Sequence, residues 1–287
     1  MEIKKIGVLG AGVMGNGIAQ VCAQNGYDVV MRDIKDEFVD RGIKNIENFL
    51  SNGVAKGKIS EEDKKKTLER IKGTSKMEDL KDVDFVVEVA PEKMTLKKQI
   101  FEELESITRK EVILASNTSS LSITEIATAT NRRDKVVGMH FFNPAPLNSL
   151  VEVIRGMQTS DDTTNTTLEL SNKLGKDPVE IKIDASGFIV NRIMIPTAIE
   201  AIKIYEQGIA SKEDIDKAVK LGLKWPQGPF ELMDLTGLDI NLHVMEELYR
   251  GLSKELKWDP PATIRNMVMS GKLGRKTGEG WYKYDKK

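Results

Sequence analysis

The chain has 287 residues, enough for two domains at roughly 150 residues each, and its 40% hydrophobic and 30% charged content is ordinary globular usage. With 43 basic residues against 44 acidic the net charge is −1, so nucleic acid, which demands a basic excess, is not expected as a partner. A single cysteine, Cys22, excludes an intramolecular disulfide and a cysteine-rich metal site, and no apolar stretch approaches the roughly 18 residues of a membrane span, so a soluble cytoplasmic protein without membrane or metal is expected.

Six β-rich runs punctuate the first 183 residues: Ile6 to Leu9, Asp28 to Met31, Asp84 to Val89, Val112 to Ala115, Val136 to Met139 and Leu150 to Ile154. Amphipathic segments such as Leu96 to Ile107 lie between them. Strand–helix alternation predicts the α/β class, with a doubly wound, mostly parallel sheet covered on both faces. The stretch from about residue 35 to 72 is too long for one crossover helix. Gly53 and Gly57 break it, and Ser60 with Asp63 has capping-box spacing, so a helical hairpin projecting from the domain is expected. Lys64 to Lys66 within it, and the Lys286-Lys287 tail, read as solvated faces rather than binding patches. After Gly187 the periodicity is helical as far as Gly271, with Ser211 and Asp214 starting one helix and Asp239 another. Residues 1–183 therefore form one expected domain, and residues 184–287 a smaller, all-helical one.

The most specific local signal opens the chain. A strand, Ile6 to Leu9, runs into Gly10-Ala11-Gly12-Val13-Met14-Gly15, and a helical pattern follows from Asn16 to Gln24. In a Rossmann-type dinucleotide site the first glycine permits the tight turn. The second lets backbone approach a pyrophosphate, and the third lets helix and sheet pack closely. Asp33 stands 18 positions beyond Gly15 at the end of the next strand, where a carboxylate takes a ribose 2′-hydroxyl. An anion there repels a 2′-phosphate and favours NAD (NADH) over NADP, although the adjacent Arg32 leaves the second open.

Chemistry has few candidates. The chain lacks GxSxG, HExxH and CxxC patterns, so hydrolase and zinc-site readings lack their residues. An enzyme that oxidises an alcohol needs a base near neutral pH, and imidazole suits it best. Of the two histidines, His243 lies in a helical pattern and reads as structural. His140 follows the run Val136 to Met139, at the carboxyl edge where such sheets bind ligands. Position alone leaves it open between a packed histidine and a base. Glu152 tips the balance, because alternation with Val151 and Val153 turns this acid towards the opposite face, where a partner imidazole would account for it.

Taken together, GAGVMGNGIAQ, RDIKDEFVDRG, LKKQIF, ILASNTSSLSIT, MHFFNPAPLNSLVEV, GFIVNRI, QGPFELMDLTGLD and GRKTGEGWYKY, in that order, resemble the short-chain 3-hydroxyacyl-CoA dehydrogenases, and most closely the bacterial 3-hydroxybutyryl-CoA dehydrogenases. The resemblance implies an NAD-binding domain followed by a helical domain that makes most of a homodimer interface, with an acyl-CoA as substrate. It implies His140 as the base, Glu152 as its partner, Ser119 as a hydrogen-bonding group for the substrate oxygen, and Asn191 as a further polar contact. NAD contacts carried over from it are Asp33, Glu92, Lys97, Asn117, Ser119, Asn143 and Lys276, besides Gly10, Ala11, Gly12, Val13, Met14 and Gly15. Taken alone, Lys97 and Lys276 read as surface lysines and Ser119 as a loop serine. Lys56, on the hairpin, matches a position that helps hold the anionic CoA.

The chain departs from its relatives at Asn52, where they carry a lysine, at Pro91, and at Asn148-Ser149. None of these positions belongs to the expected catalytic set. Two other readings are a dehydrogenase of a free 3-hydroxy acid, which would not need a lysine-bearing hairpin, and a non-catalytic NAD-binding relative, which would be free to lose His140.

Overall fold

The computed structural model describes residues 2–285, so the Lys286-Lys287 tail lies outside the described residues. The chain divides into two units, Met1–Asp184 and Ala185–Lys287.

The first unit runs β1 (Lys5–Leu9), α1 (Val13–Gln24), β2 (Asp28–Arg32), α2 (Asp36–Ala55), α3 (Glu61–Glu69), β3 (Ile71–Thr74), β4 (Phe85–Glu88), α4 (Met94–Ile107), β5 (Ile113–Ser116), α5 (Ile123–Ala127), β6 (Val136–Phe141), β7 (Leu150–Arg155), α6 (Asp161–Lys173) and β8 (Asp177–Ile181). The eight strands form one sheet in the order β3-β2-β1-β4-β5-β6-β7-β8, parallel throughout except where β6 meets β7. The order reverses direction between β1 and β4, which creates the crevice at their carboxyl ends where doubly wound sheets take ligands. Central strands are buried on both faces, as the continuous apolar runs in Phe85–Glu88, Ile113–Ser116 and Val136–Phe141 demand.

Two strands escaped the sequence reading. Ile71–Thr74 and Asp177–Ile181 are the two edges of the sheet, short and half exposed, so neither carries a continuous apolar run. The expected hairpin therefore ends at Glu69, and Ile71 and Lys72 belong to β3. Gly53 does not break α2, which continues to Ala55; the reversal is made at Gly57, whose φ of +65° suits glycine. The capping box forms as expected, with the Ser60 hydroxyl accepting from Asp63 N–H and the Asp63 carboxylate accepting in return. The hairpin is anchored rather than free-standing. Val39, Gly42, Ile46 and Leu50 bury a helical stripe, and three of them enter the same core as Val8, Ile18 and Met31.

The second unit contains α7 (Val190–Glu206), α8 (Lys212–Gly222), α9 (Pro229–Thr236), α10 (Leu238–Gly251) and α11 (Ala262–Met269). Ser211 caps α8 by accepting from Asp214 N–H, as its sequence spacing predicts. The helices close over their own core, centred on Ile199, Ile202, Phe230, Met233, Met245 and Trp281. After α11 the tail makes isolated bridges between Gly274 and Glu279 and between Glu279 and Lys283. The buried Asp234 carboxylate pins it by accepting from the N–H groups of Trp281 and Tyr282. Among the described residues no helix is long and apolar enough to cross a membrane, and no group of three or more His, Cys, Asp or Glu side chains is arranged to hold a metal ion.

Candidate active site

The glycine loop lies at the β1–β4 crevice, and its three glycines have different reasons to be glycine. Gly10 has φ of +119°, and a Cβ there would meet the Val89 carbonyl oxygen at 2.7 Å. A Cβ on Gly15 would stand 1.8 Å from the Gly10 oxygen. Both are demanded by the protein's own packing. Gly12 is not, because a Cβ there meets nothing within 4 Å. Its missing side chain instead leaves space over the N-terminus of α1. That helix end has no side-chain cap and no acid in its first turn, so its leading N–H groups and positive dipole end are open to an anion.

Asp33 lies just past β2 and holds the loop from the other side. Its Oδ2 accepts from Ala11 N–H at 2.7 Å, and its Oδ1 accepts from Ile34 N–H at 2.7 Å. Beside it, Arg32 Nε is buried with no hydrogen-bond partner among the described residues. Beyond these, Val13 is an apolar side chain left 71% exposed at the start of α1. An uncapped helix end, a space kept clear by Gly12 and a carboxylate at the end of β2 together fit a dinucleotide.

On the far side of β4 and β5, the antiparallel β6–β7 pair places His140 directly opposite Glu152. Side chains at facing positions point to the same face of a sheet. The His140 Nδ1 lies 2.8 Å from Glu152 Oε2, and both side chains are buried. With Nδ1–H donating to the carboxylate, Nε2 carries the lone pair, as a base requires. The Phe142 ring covers the imidazole, centroid to centroid at 4.5 Å. His140 lies within β6, which continues to Phe141, rather than beyond its end, and the pairing with β7 is what extends it.

Residues 5–184 match the profile of the 3-hydroxyacyl-CoA dehydrogenase NAD binding domain, and residues 187–284 match that of the 3-hydroxyacyl-CoA dehydrogenase C-terminal domain. The chain belongs to the 3-hydroxyacyl-CoA dehydrogenase family. Its cofactor is NAD. Among its relatives, a probable 3-hydroxybutyryl-CoA dehydrogenase of Deinococcus radiodurans is 49% identical over 280 residues, covering 98% of this chain and all of that one. The 3-hydroxybutyryl-CoA dehydrogenase of Clostridioides difficile is 45% identical over 282 residues, with the same coverage. The crystal structure of an (S)-3-hydroxybutyryl-CoA dehydrogenase from Ralstonia eutropha superposes with a TM-score of 0.94 at 47% identity, covering 99% of this chain and 100% of that one.

Between the glycine loop and the His140–Glu152 pair, this dehydrogenase carries a buried charge network that the sequence did not disclose. Lys97 is not a surface lysine: it is 1% exposed, and α4 directs its ammonium to the carboxyl end of the central strand β4. Lys97 Nζ donates to Glu88 Oε1 at 2.8 Å, to Glu88 Oε2 at 3.0 Å and to the Ala90 oxygen at 3.2 Å. It also pairs with Glu92 Oε2 at 3.4 Å. Glu88 is 0% exposed and accepts further from Ala90 N–H and Ser116 Oγ, both at 2.6 Å. Glu92 in turn organises the loop after β5. Its Oε1 accepts from Thr118 Oγ1, from Ser119 N–H at 2.9 Å and from Ser120 N–H at 3.2 Å. Burial works to raise the Glu92 carboxyl, but the Lys97 charge and the Thr118 and Ser119 donors more than reverse it and hold it below the ordinary carboxylate range.

Asn117 ties this loop to the histidine strand. Its Oδ1 accepts from Phe141 N–H at 2.8 Å, and its own N–H donates to the Glu88 oxygen at 2.8 Å. The expected residues Glu92 and Ser119 are thus brought together, and Asn117 is bonded to Phe141, the neighbour of His140 in β6. Asn143 is exposed in the loop after β6, and Lys56 is exposed at the end of α2. Asn191 and Lys276 belong to the second unit. Asn191 is half buried in the first turn of α7, and Lys276 Nζ binds both Asp239 oxygens, at 2.5 and 2.7 Å. His243 lies in α10 with its Nε2 buried and no hydrogen-bond partner among the described residues, in keeping with a structural histidine. Glu88 was the residue the sequence reading missed. The signal was available, since a glutamate closing the apolar strand Phe85–Glu88 has to find a cation.

Proposed function

We propose that the protein interconverts (S)-3-hydroxyacyl-CoA and 3-oxoacyl-CoA, with 3-hydroxybutyryl-CoA and acetoacetyl-CoA as the favoured pair. The observation that carries the reading is the buried His140–Glu152 pair at 2.8 Å, in a chain whose relatives bear that activity in their names over their whole length. NAD, when bound, supplies the hydride chemistry at C3 of the acyl group. The Gly10–Gly15 loop holds its pyrophosphate and Asp33 its ribose, with Glu92, Lys97, Asn117, Ser119 and Asn143 completing its site within the first unit.

In the oxidative direction His140 Nε2 takes the proton of the 3-hydroxyl group. The developing positive charge is stabilised across Nδ1 by the buried Glu152 carboxylate. In reduction the protonated ring returns the same proton to the 3-keto oxygen. Ser119 Oγ hydrogen-bonds that oxygen, with Asn191 as a further polar group for the substrate. Lys56, exposed at the turn of the α2–α3 hairpin, meets the anionic end of CoA. Two copies associate through the second unit, where Ile193, Ile209, Leu221 and Leu223 leave apolar surface to be covered.

The test is oxidation of NADH with acetoacetyl-CoA, run beside free acetoacetate, longer 3-oxoacyl-CoA chains and NADPH. Turnover with acetoacetyl-CoA and not with the free acid is expected. Preference for the free acid would transfer the reading to a 3-hydroxy acid dehydrogenase. Firm NADH binding without turnover of either substrate would leave a non-catalytic relative.

A further inference from the structure

The loop of residues 142–149 joins the strand of His140 to the strand of Glu152 and carries Asn143. Most of it is exposed or half exposed, and its buried point is Ala145. That point is gripped from two sides. From one side α1 approaches so closely that a Cβ on Gly17 would stand 3.3 Å from the Ala145 Cβ and 3.2 Å from the Pro146 Cδ. From the other comes Lys176, immediately before β8, whose buried Nζ donates to the Ala145 oxygen at 2.7 Å and to the Asn148 oxygen at 2.8 Å. Within the loop, the N–H groups of Leu147 and Asn148 both donate to the Pro144 oxygen at 3.0 Å, and Asp177 N–H reaches the Ser149 oxygen at 2.8 Å.

Lys176 makes no salt bridge among the described residues, and burial lowers its ammonium below the ordinary lysine range. Cys22 lies close enough for its thiol to feel the charge, but the hydrogen bonds go only to carbonyls, and such a buried cation is costly. A methionine would bury the same stem without that cost, so packing by itself gives no reason for the charge. The two carbonyls do give one. They belong to the segment that must hold its shape if Asn143 and the end of β6 are to face the cofactor.

We propose that Lys176 is a positioning residue for the dehydrogenase reaction, fixing the 142–149 loop through two charge-assisted hydrogen bonds. It acts through the loop backbone, by way of the Ala145 and Asn148 oxygens. The inference rests on the dehydrogenase reading above, and the measurements separate the two.

Lys176→Met and Lys176→Gln are compared with the unaltered protein in four readouts: NADH affinity, steady-state kinetics with acetoacetyl-CoA, amide hydrogen exchange and thermal melting, with activity measured well below every midpoint. Loss of even one charge-assisted bond should lower kcat/KM for NADH by about tenfold or more in the Met variant. Amide hydrogen exchange at Leu147 and Asn148 should quicken in step. The Gln variant keeps a donor and should recover part of the loss; if the Met variant does not fold, it carries the comparison. A lower melting point with kcat/KM within twofold of the unaltered protein would mean a merely structural lysine and overturn the proposal. If the unaltered protein shows no turnover at all, the dehydrogenase reading fails by itself. NADH affinity then still decides Lys176, and equal affinity in all three proteins would overturn its role too.

Discussion

Replacing Lys97 with methionine isolates the buried charge network. Met retains most of the lysine stem, so little cavity forms and the main change is the loss of the ammonium. Glu88, 0% exposed, then keeps only Ala90 N–H and Ser116 Oγ as partners, and its charge stands unopposed. Removing one member of a buried ion pair costs about 3–5 kcal/mol. At about 2–4 °C per kcal/mol for a unit of this size, the melting transition of the first unit should fall by roughly 6–20 °C. The double variant Glu88→Gln/Lys97→Met removes both charges and should regain most of that loss, because a neutral buried pair carries no uncompensated ion. Glu92 adds a pH signature. Its carboxyl is held low in the folded state, so its contribution is present above the ordinary value of 4.5 and disappears as pH falls through the folded one. Losing the Lys97 charge removes the leading cause of that depression, so both variants should lose their remaining stability at higher pH than the unaltered protein. Calorimetry across pH 3–8 measures all three effects (on the order of one unit per scan step suffices to see them). A Lys97→Met midpoint within a degree or two of the original would refute the reasoning, since it would mean that Glu88 does not carry a charge that needs Lys97.

The remaining predictions concern the cofactor and the proton. His140→Gln should lower kcat by about 10²–10⁴ while leaving the NADH dissociation constant nearly unchanged in a fluorescence titration; retained turnover would remove His140 from its role. Gly15→Ala should fail to give folded protein, because its Cβ would fall 1.8 Å from the Gly10 oxygen, whereas Gly12→Ala should fold with its original Tm and lose NADH affinity by about tenfold or more. If Gly12→Ala bound NADH normally, the space above α1 would not be the pyrophosphate site. Asp33→Ser should raise the NADPH-to-NADH ratio of kcat/KM by removing the anion beside Arg32, whose buried Nε has no partner among the described residues. An unchanged ratio would show that Asp33 does not set that preference.

The features legible in the sequence are those written in contiguous residues. The Gly10–Gly15 loop between a strand and a helix, the capping spacings at Ser60 and Ser211 and the alternation that turns Glu152 away from Val151 and Val153 each depend on local backbone geometry. Edge strands were not legible. Ile71–Thr74 and Asp177–Ile181 become strands because a neighbour offers them a hydrogen-bonding edge, and that neighbour is distant in sequence or separated by a helix. The Lys97 burial and the Lys176 grip were hidden for the same reason. A lysine on a helix or at a turn looks solvated until the fold brings Glu88, or the carbonyls of Ala145 and Asn148, within 3 Å of its nitrogen. Sequence alone named the chain's candidates for the proposed chemistry, His140, Glu152 and the glycine loop. Tertiary structure decided which of its charged groups are buried and what each one holds in place, because burial and pairing exist only between segments that the fold brings together.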